Sequence, residues 1–158
     1  MARLARILVP VDFSPPSDAA LEEAFFIAKR FASTIDLMHV WRPEPSPDDV
    51  PAASLTSFVR TDIGREMRKY LERAEAQGVS ARGRLAYGDP ETLILECADG
   101  YDLIVMGTRG RSSASHLLRP SVAEHVVRRA HVPVLTIHAR EGGTISAELV
   151  ETVPSPSL

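Results

Sequence analysis

The chain predicts an α/β fold: a five-stranded parallel sheet with helices on both faces, in the three-layer flavodoxin-like manner. Five short apolar runs alternate with four segments whose apolar residues recur at helical spacing. Such alternation specifies a parallel sheet joined by right-handed crossovers. The run Ile7 to Val11 is apolar along its length, as a strand covered on both faces is.

The first strand is Ile7-Leu8-Val9-Pro10-Val11, ending at Asp12-Phe13-Ser14-Pro15. A helix begins there: Ser14 or Ser17 supplies the cap, Pro15 or Pro16 suits the first turn, and Leu21, Ala24, Phe25, Ala28 and Phe31 form its apolar stripe. Ile35 to Val40 is the second strand. The proline-rich stretch Trp41 to Pro51 holds too many helix breakers for an element and reads as a loop that could lie over a site. Val59, Ile63, Met67, Tyr70, Leu71 and Ala74 mark the second helix, Gly78 closes it, and Val79 to Tyr87 is the third strand. Asp89 caps a third helix, Pro90 opens it and Asp99-Gly100 ends it. Tyr101 to Met106 is the fourth strand, and Val122, Ala123, Val126, Val127 and Ala130 lie on the fourth helix. Val132 to Ile137 is the fifth strand, whose early Pro133 favours an edge or a strand start. Residues 1–139 then form one domain. Residues 140–158 mix Gly143, Pro154 and Pro156 with polar residues and read as a tail, mobile or in contact with a partner.

The fourth strand delivers the chain to Met106-Gly107-Thr108-Arg109-Gly110-Arg111, and a polar loop then leads to Pro120-Ser121-Val122 at the start of the fourth helix. Strand, glycine loop and helix N-terminus make a phosphate cradle. Glycines let backbone N–H groups face an anion, and the first helical turn adds unpaired donors and partial positive charge. In open parallel sheets, ligands bind beyond the carboxyl ends of the strands where the winding reverses.

With 158 residues, 44% of them hydrophobic, the chain can bury an ordinary core. A net charge of -3 excludes a general attraction for nucleic acid or an anionic membrane, although Arg109, Arg111, Arg119, Arg128 and Arg129 gather positive charge near the glycine loop. The single cysteine, Cys97, cannot form an internal disulfide, and its apolar neighbours Ile94, Leu95 and Ala98 point to a buried thiol. With neither a secretion signal nor a membrane-length apolar run, a cytoplasmic location is expected.

Val9-Pro10-Val11-Asp12-Phe13-Ser14, Tyr87-Gly88-Asp89-Pro90, Met106 to Arg111, and Ser121 to Arg128 through Pro133-Val134-Leu135 together resemble the universal stress proteins over roughly residues 5 to 138. The resemblance implies an adenine-nucleotide alpha hydrolase-like sheet, a role in stress response, and a homodimer paired through the last strand, Val132 to Ile137. It further implies that ATP is bound in one branch of the family, marked G-x2-G-x9-G-[ST], and not in another. Gly107, Gly110 and Ser121 stand in register with that pattern, but Pro120 occupies the third glycine position. Proline lacks an N–H and adds bulk, while remaining acceptable at a first helical position. Loss of one charge-assisted hydrogen bond, roughly 1.5–3 kcal/mol, lowers affinity about ten- to a hundredfold. Arg111 and Arg119 could compensate.

Carried over residue by residue, the resemblance implies that Pro10, Val11, Asp12 and Ser14 line the end of the first strand, with Asp12 near ribose or a phosphate-bound Mg. Val40 presents backbone to adenine. Met106, Gly107, Gly110 and Arg111 follow the ribose and phosphates, and Ser121 and Val122 receive the terminal phosphates. ATP with Mg is the implied cofactor, and partners beyond the nucleotide are unspecified proteins.

Blander readings stand beside these. The two glycines serve equally in a turn needing positive φ, and Asp12 or Ser14 can simply cap the first helix. The five histidines, His39, His116, His125, His131 and His138, show no four-residue helical pair of the zinc type. Ser112, Ser113 and Ser115 read as a solvated loop. Nothing resembles a Walker lysine or an established general base, so the chain reads as a binding module, with slow ATP hydrolysis left open. The alternative is a dimeric interaction protein that has lost nucleotide through Pro120.

Overall fold

The computed structural model describes residues 3–42, 52–108, 121–139 and 145–150, with backbone alone for 52–60, 139 and 145–150. The elements are β1 (Arg6–Pro10), α1 (Pro15–Phe31), β2 (Thr34–Trp41), α2 (Ala52–Ala76), β3 (Ala81–Tyr87), α3 (Pro90–Ala98), β4 (Leu103–Thr108), α4 (Val122–Arg129), β5 (Val134–Ala139) and β6 (Ile145–Val150). The sheet order is β3-β2-β1-β4-β5-β6. The first five strands pair in parallel; the central β1 and β4 are apolar along most of their length, as strands covered on both faces are, whereas the edge strand β3 carries Arg82 and Arg84. Winding reverses between β1 and β4, so the carboxyl ends of these adjacent strands part and leave a crevice.

Alternation along the strands sorts the core into two layers. Ile7, Val9, Leu37 and Val105 pack with Leu21, Phe25 and Ala28 of α1 and Met67, Tyr70 and Ala74 of α2. Leu8, Met38, Ile104 and Met106 pack on the other face with Ile94 of α3 and Ala123 and Val126 of α4. Helix starts follow the sequence chemistry: Ser14 caps α1, Asp89 caps α3 with its side chain accepting from the Thr92 amide, and prolines fill the first turns.

Four expectations shift. Phe31 ends α1 but is 57% exposed, outside the core that Ala24, Phe25 and Ala28 of the same helix join. Val79 is buried yet precedes β3, its amide bonding the Ala74 carbonyl at the close of α2. Cys97 is half-buried; its thiol donates to the Ile94 carbonyl at 3.3 Å and burial pushes its pKa up. Within the segment expected to be a tail, Ile145–Val150 forms β6, antiparallel to β5 with Val134 opposite Val150 and Ala139 opposite Ile145. Ile145, Ala147 and Leu149 alternate with Ser146 and Glu148, a strand period that Gly143 and the flanking prolines obscure. The outer edge of β5, expected to meet a second copy, thus carries β6 of the same chain.

Candidate functional site

A cleft of about 370 Å³ opens at the reversal point. Its walls are mostly apolar: Pro10 and Val11 end β1, Met38 and Val40 come from β2, Pro90 and Ile94 from the first turns of α3, and Met106 from β4. Asp12, Ser17, Thr108 and Ser121 bring the polar groups. An apolar slot with a few convergent polar side chains suits one small organic ligand with a polar end.

Asp12 is held by the residues that start α1. Its Oδ1 accepts from the Ser14 amide at 3.0 Å, from the Ser17 hydroxyl at 2.7 Å and from the Ser14 hydroxyl. In return the Asp12 amide donates to Ser17 Oγ at 3.0 Å. The chain turns between them at Phe13, whose φ of 62° is a left-handed conformation that costs a non-glycine residue energy. The Phe13 ring is anchored against His39 and Tyr70, with centroids 4.8 and 5.2 Å away. His39 in turn donates from Nδ1 to the Val11 carbonyl at 2.7 Å, tying β2 to the end of β1 beside the cleft.

On the far side, Ser121 is the N-cap of α4, its hydroxyl accepting from the Glu124 amide at 3.2 Å. With Val122 and Ala123 it brings a helix N-terminus to the cleft. Gly107 lies between these walls. A Cβ there would sit 2.4 Å from the carbonyl carbon and oxygen of Pro16 and 2.7 Å from the Ser17 nitrogen. Gly107 is not among the positive-φ glycines, so close passage of β4 under the start of α1, not a turn, demands glycine.

The profile of the Universal stress protein family matches residues 4–138. This chain belongs to the universal stress protein family. It is 35% identical over 138 residues to a universal stress protein of Methanocaldococcus jannaschii, covering 84% of this chain and 81% of that one. It is 32% identical over 148 residues to universal stress protein YxiE of Bacillus subtilis, covering 84% and 97%. A crystal structure of a universal stress protein in complex with cAMP superposes with a TM-score of 0.70 at 26% identity, covering 87% of this chain and 98% of that one.

In this universal stress protein the structure brings Pro10, Val11, Asp12, Val40, Met106, Gly107, Ser121 and Val122 around one cleft. Ser14 is not in the lining; it caps α1 and braces Asp12 from behind. Gly110, Arg111, Arg119 and Pro120 lie outside the described residues. Because α4 starts at Val122 with Ser121 as its cap, Pro120 precedes the cap instead of taking the first helical position. The lining also holds Ser17, Met38, Pro90, Ile94, Thr108 and Ala123, which sequence reasoning did not assign to a site. The Asp12-x-Ser14-x-x-Ser17 spacing carried a signal for Ser17; the approach of α3 had none.

Proposed function

We propose that this universal stress protein binds an adenine nucleotide in the switch-point cleft and serves as a sensor or signalling module in stress response. The observation that carries the reading is the pairing, around one apolar cleft, of the Asp12 carboxylate at the end of β1 with the Ser121-capped start of α4. An apolar slot takes a base, a braced carboxylate suits ribose hydroxyls, and a helix N-terminus suits phosphate. The cAMP complex of a relative of the same fold supports it.

In this reading the backbone of Val40 meets the adenine edge, Met106 and Gly107 pass the ribose, and Ser121 and Val122 receive phosphate. Gly110 and Arg111 complete the phosphate contacts. Where ATP is the ligand, Mg arrives with its phosphates, and Asp12 is the carboxylate of the cleft nearest to serve it. Placement in the ATP-binding branch despite Pro120 belongs to the same proposal, as do the single domain over 1–139 and a cytoplasmic location; no helix among the described residues is long and apolar enough to cross a membrane. A homodimer through Val132 to Ile137 requires β6 to leave the β5 edge or join the interface, and light scattering at micromolar protein reads it directly.

Isothermal titration calorimetry with ATP plus Mg, AMP and cAMP tests the nucleotide reading. Micromolar binding of at least one, lost in Asp12→Ala, is expected. Absence of heat with all three, with no thermal stabilisation by any, overturns it and favours the interaction protein that has lost its nucleotide.

A further inference from the structure

A second cavity, of about 270 Å³, lies on the sheet face that carries Leu8 and Met38, toward the amino-terminal halves of β1, β2 and β3. Strand register explains its chemistry. Asp36 sits beside Leu8 on one side and Arg82 on the other, and Arg84 sits beside Met38. Residues two apart on a strand share a face, so Arg82 and Arg84 stand together over Asp36 and Met38. The opposite face of β3 is covered by α2, where Gly83 meets Met67 and Leu71, whereas Arg82 and Arg84 are exposed.

Three guanidiniums, those of Arg6, Arg82 and Arg84, line this cavity with a single carboxylate, Asp36. Asp36 is 14% exposed and fixed by three donors: Arg6 Nη2 at 2.8 Å, Tyr101 Oη at 2.9 Å and Arg82 Nε at 3.0 Å. Arg6 is further stacked on the Tyr101 ring at 4.6 Å. Asp102 is the next carboxylate, already accepting from the amides of Ala5 and Arg6. A guanidinium has five N–H donors, and Asp36 takes one from Arg6 and one from Arg82. Arg84 has no carboxylate partner among the described residues and neighbours the Cys97 thiol. Arginines on an edge strand also discourage strand pairing. That role needs neither a concavity nor a carboxylate locked in place to aim two of the three.

We propose that this cavity is a second ligand site, for a small dianionic oxyanion of the phosphate class, gripped by the forks of Arg82 and Arg84 with Arg6 at its flank. Planar guanidinium forks match tetrahedral oxyanions through paired N–H donors. Asp36, which already accepts from three donors, acts as the post that orients Arg6 and Arg82 and is not a contact for the anion. Met38 is the one lining residue shared with the switch-point cleft, so the two sites lie on either side of it. The proposal stands whether or not the cleft takes nucleotide.

The test is titration of the full-length chain, labelled with nitrogen-15, with inorganic phosphate at ionic strength held constant by sodium chloride. Amides of Gly83, Arg84 and Tyr101 are expected to shift saturably. Arg84→Gln, which breaks no ion pair, weakens binding about tenfold or more, the worth of one charge-assisted contact. These shifts saturate independently of any at the amides of Ser121 and Val122, the α4 end of the switch-point cleft. Glycerol 3-phosphate run alongside identifies the source, whichever of the two saturates at lower concentration. Shifts linear in phosphate, reproduced by chloride, or indifferent to Arg84→Gln in a chain whose melting temperature is native overturn the site. So does a saturable shift of the Ser121 and Val122 amides with those of Gly83, Arg84 and Tyr101 unmoved, which places phosphate in the cleft.

Discussion

Ser17 and Asp12 grip each other from both ends: the Ser17 hydroxyl donates to Asp12 Oδ1 at 2.7 Å while accepting from the Asp12 amide at 3.0 Å. Ser17 is buried, and the bond pair spans the strained turn at Phe13. Ser17→Ala leaves the Asp12 amide without that acceptor and the carboxylate without one of its donors. We expect a loss of about 1–3 kcal/mol in urea denaturation, together with weaker nucleotide binding by calorimetry. Ser14→Ala, which removes a cap outside the cleft lining, is expected to cost about 1 kcal/mol of stability with a smaller effect on binding. Equal effects on binding from the two variants would refute a special role for the Ser17 link.

Gly107→Ala drives a methyl group into the backbone of Pro16 and Ser17 at 2.4 to 2.7 Å. Backbone at the start of a helix yields less than a side chain tip. The expected cost is about 1–3 kcal/mol, a fall in melting temperature of roughly 2–4 °C for each kcal/mol in a chain of this size. Calorimetric melting of the variant without ligand checks it. A native melting temperature would mean that Gly107 is kept for its ligand instead.

How much of this was legible in the sequence depended on the range of the interactions. Caps are local, so Asp89-Pro90 and Ser14-Pro15 announced the starts of α3 and α1 directly. The cleft was legible as far as its strand ends, because Pro10, Asp12, Met106 and Gly107 follow apolar runs in the way switch-point residues do. Pro90 and Ile94 were not, since their presence there depends on how α3 crosses the sheet. β6 was missed because six alternating residues lay among glycines and prolines. The Asp36 cluster was invisible for another reason: Arg6, Asp36, Arg82 and Tyr101 are far apart along the chain and meet only through strand register.

The Asp36 carboxyl lies below its ordinary pKa. Burial works against ionisation, but hydrogen bonds from Arg6, Tyr101 and Arg82 outweigh it. A carboxylate depressed in the folded state contributes stability above its unfolded pKa of about 3.9 and loses that contribution as pH falls through the lower folded value. Wild type is therefore expected to lose stability progressively below about pH 4. Asp36→Asn should be less stable at neutral pH by about 1–3 kcal/mol and show a shallower acid limb. Parallel acid limbs in urea denaturation would exclude Asp36 from the linkage.

Tyr70 presents the opposite case. Its hydroxyl is buried with no hydrogen-bond partner among the described residues, and burial, followed by the nearby Asp18 carboxylate, pushes its pKa up. The ring itself is useful, packing edge-on to Phe13 and lying 5.2 Å beneath the Arg73 guanidinium. Tyr70→Phe keeps the ring and removes the unsatisfied group. Stability should stay level or rise by about 1 kcal/mol. A loss larger than that would reveal a hydrogen bond to Asp18 in solution.

Pro120 precedes the Ser121 cap of α4, so replacing it leaves the intrahelical bonds of that helix unchanged. Glycine at this position adds freedom to the unfolded chain, a cost of up to about 1 kcal/mol, and restores one backbone N–H next in sequence to Ser121, where the proposed nucleotide reading puts phosphate. Pro120→Gly should therefore separate binding from folding: ATP affinity rises about ten- to a hundredfold, the worth of one charge-assisted hydrogen bond, while the melting temperature barely moves. If wild type binds at micromolar ATP and the variant binds tighter, proline has tuned a working site. If only the variant binds, proline has closed the site and the chain works without nucleotide. Identical affinities in both would show that the amide at 120 never faces phosphate, and would shift the phosphate contacts to Ser121, Val122 and the arginines of the preceding loop.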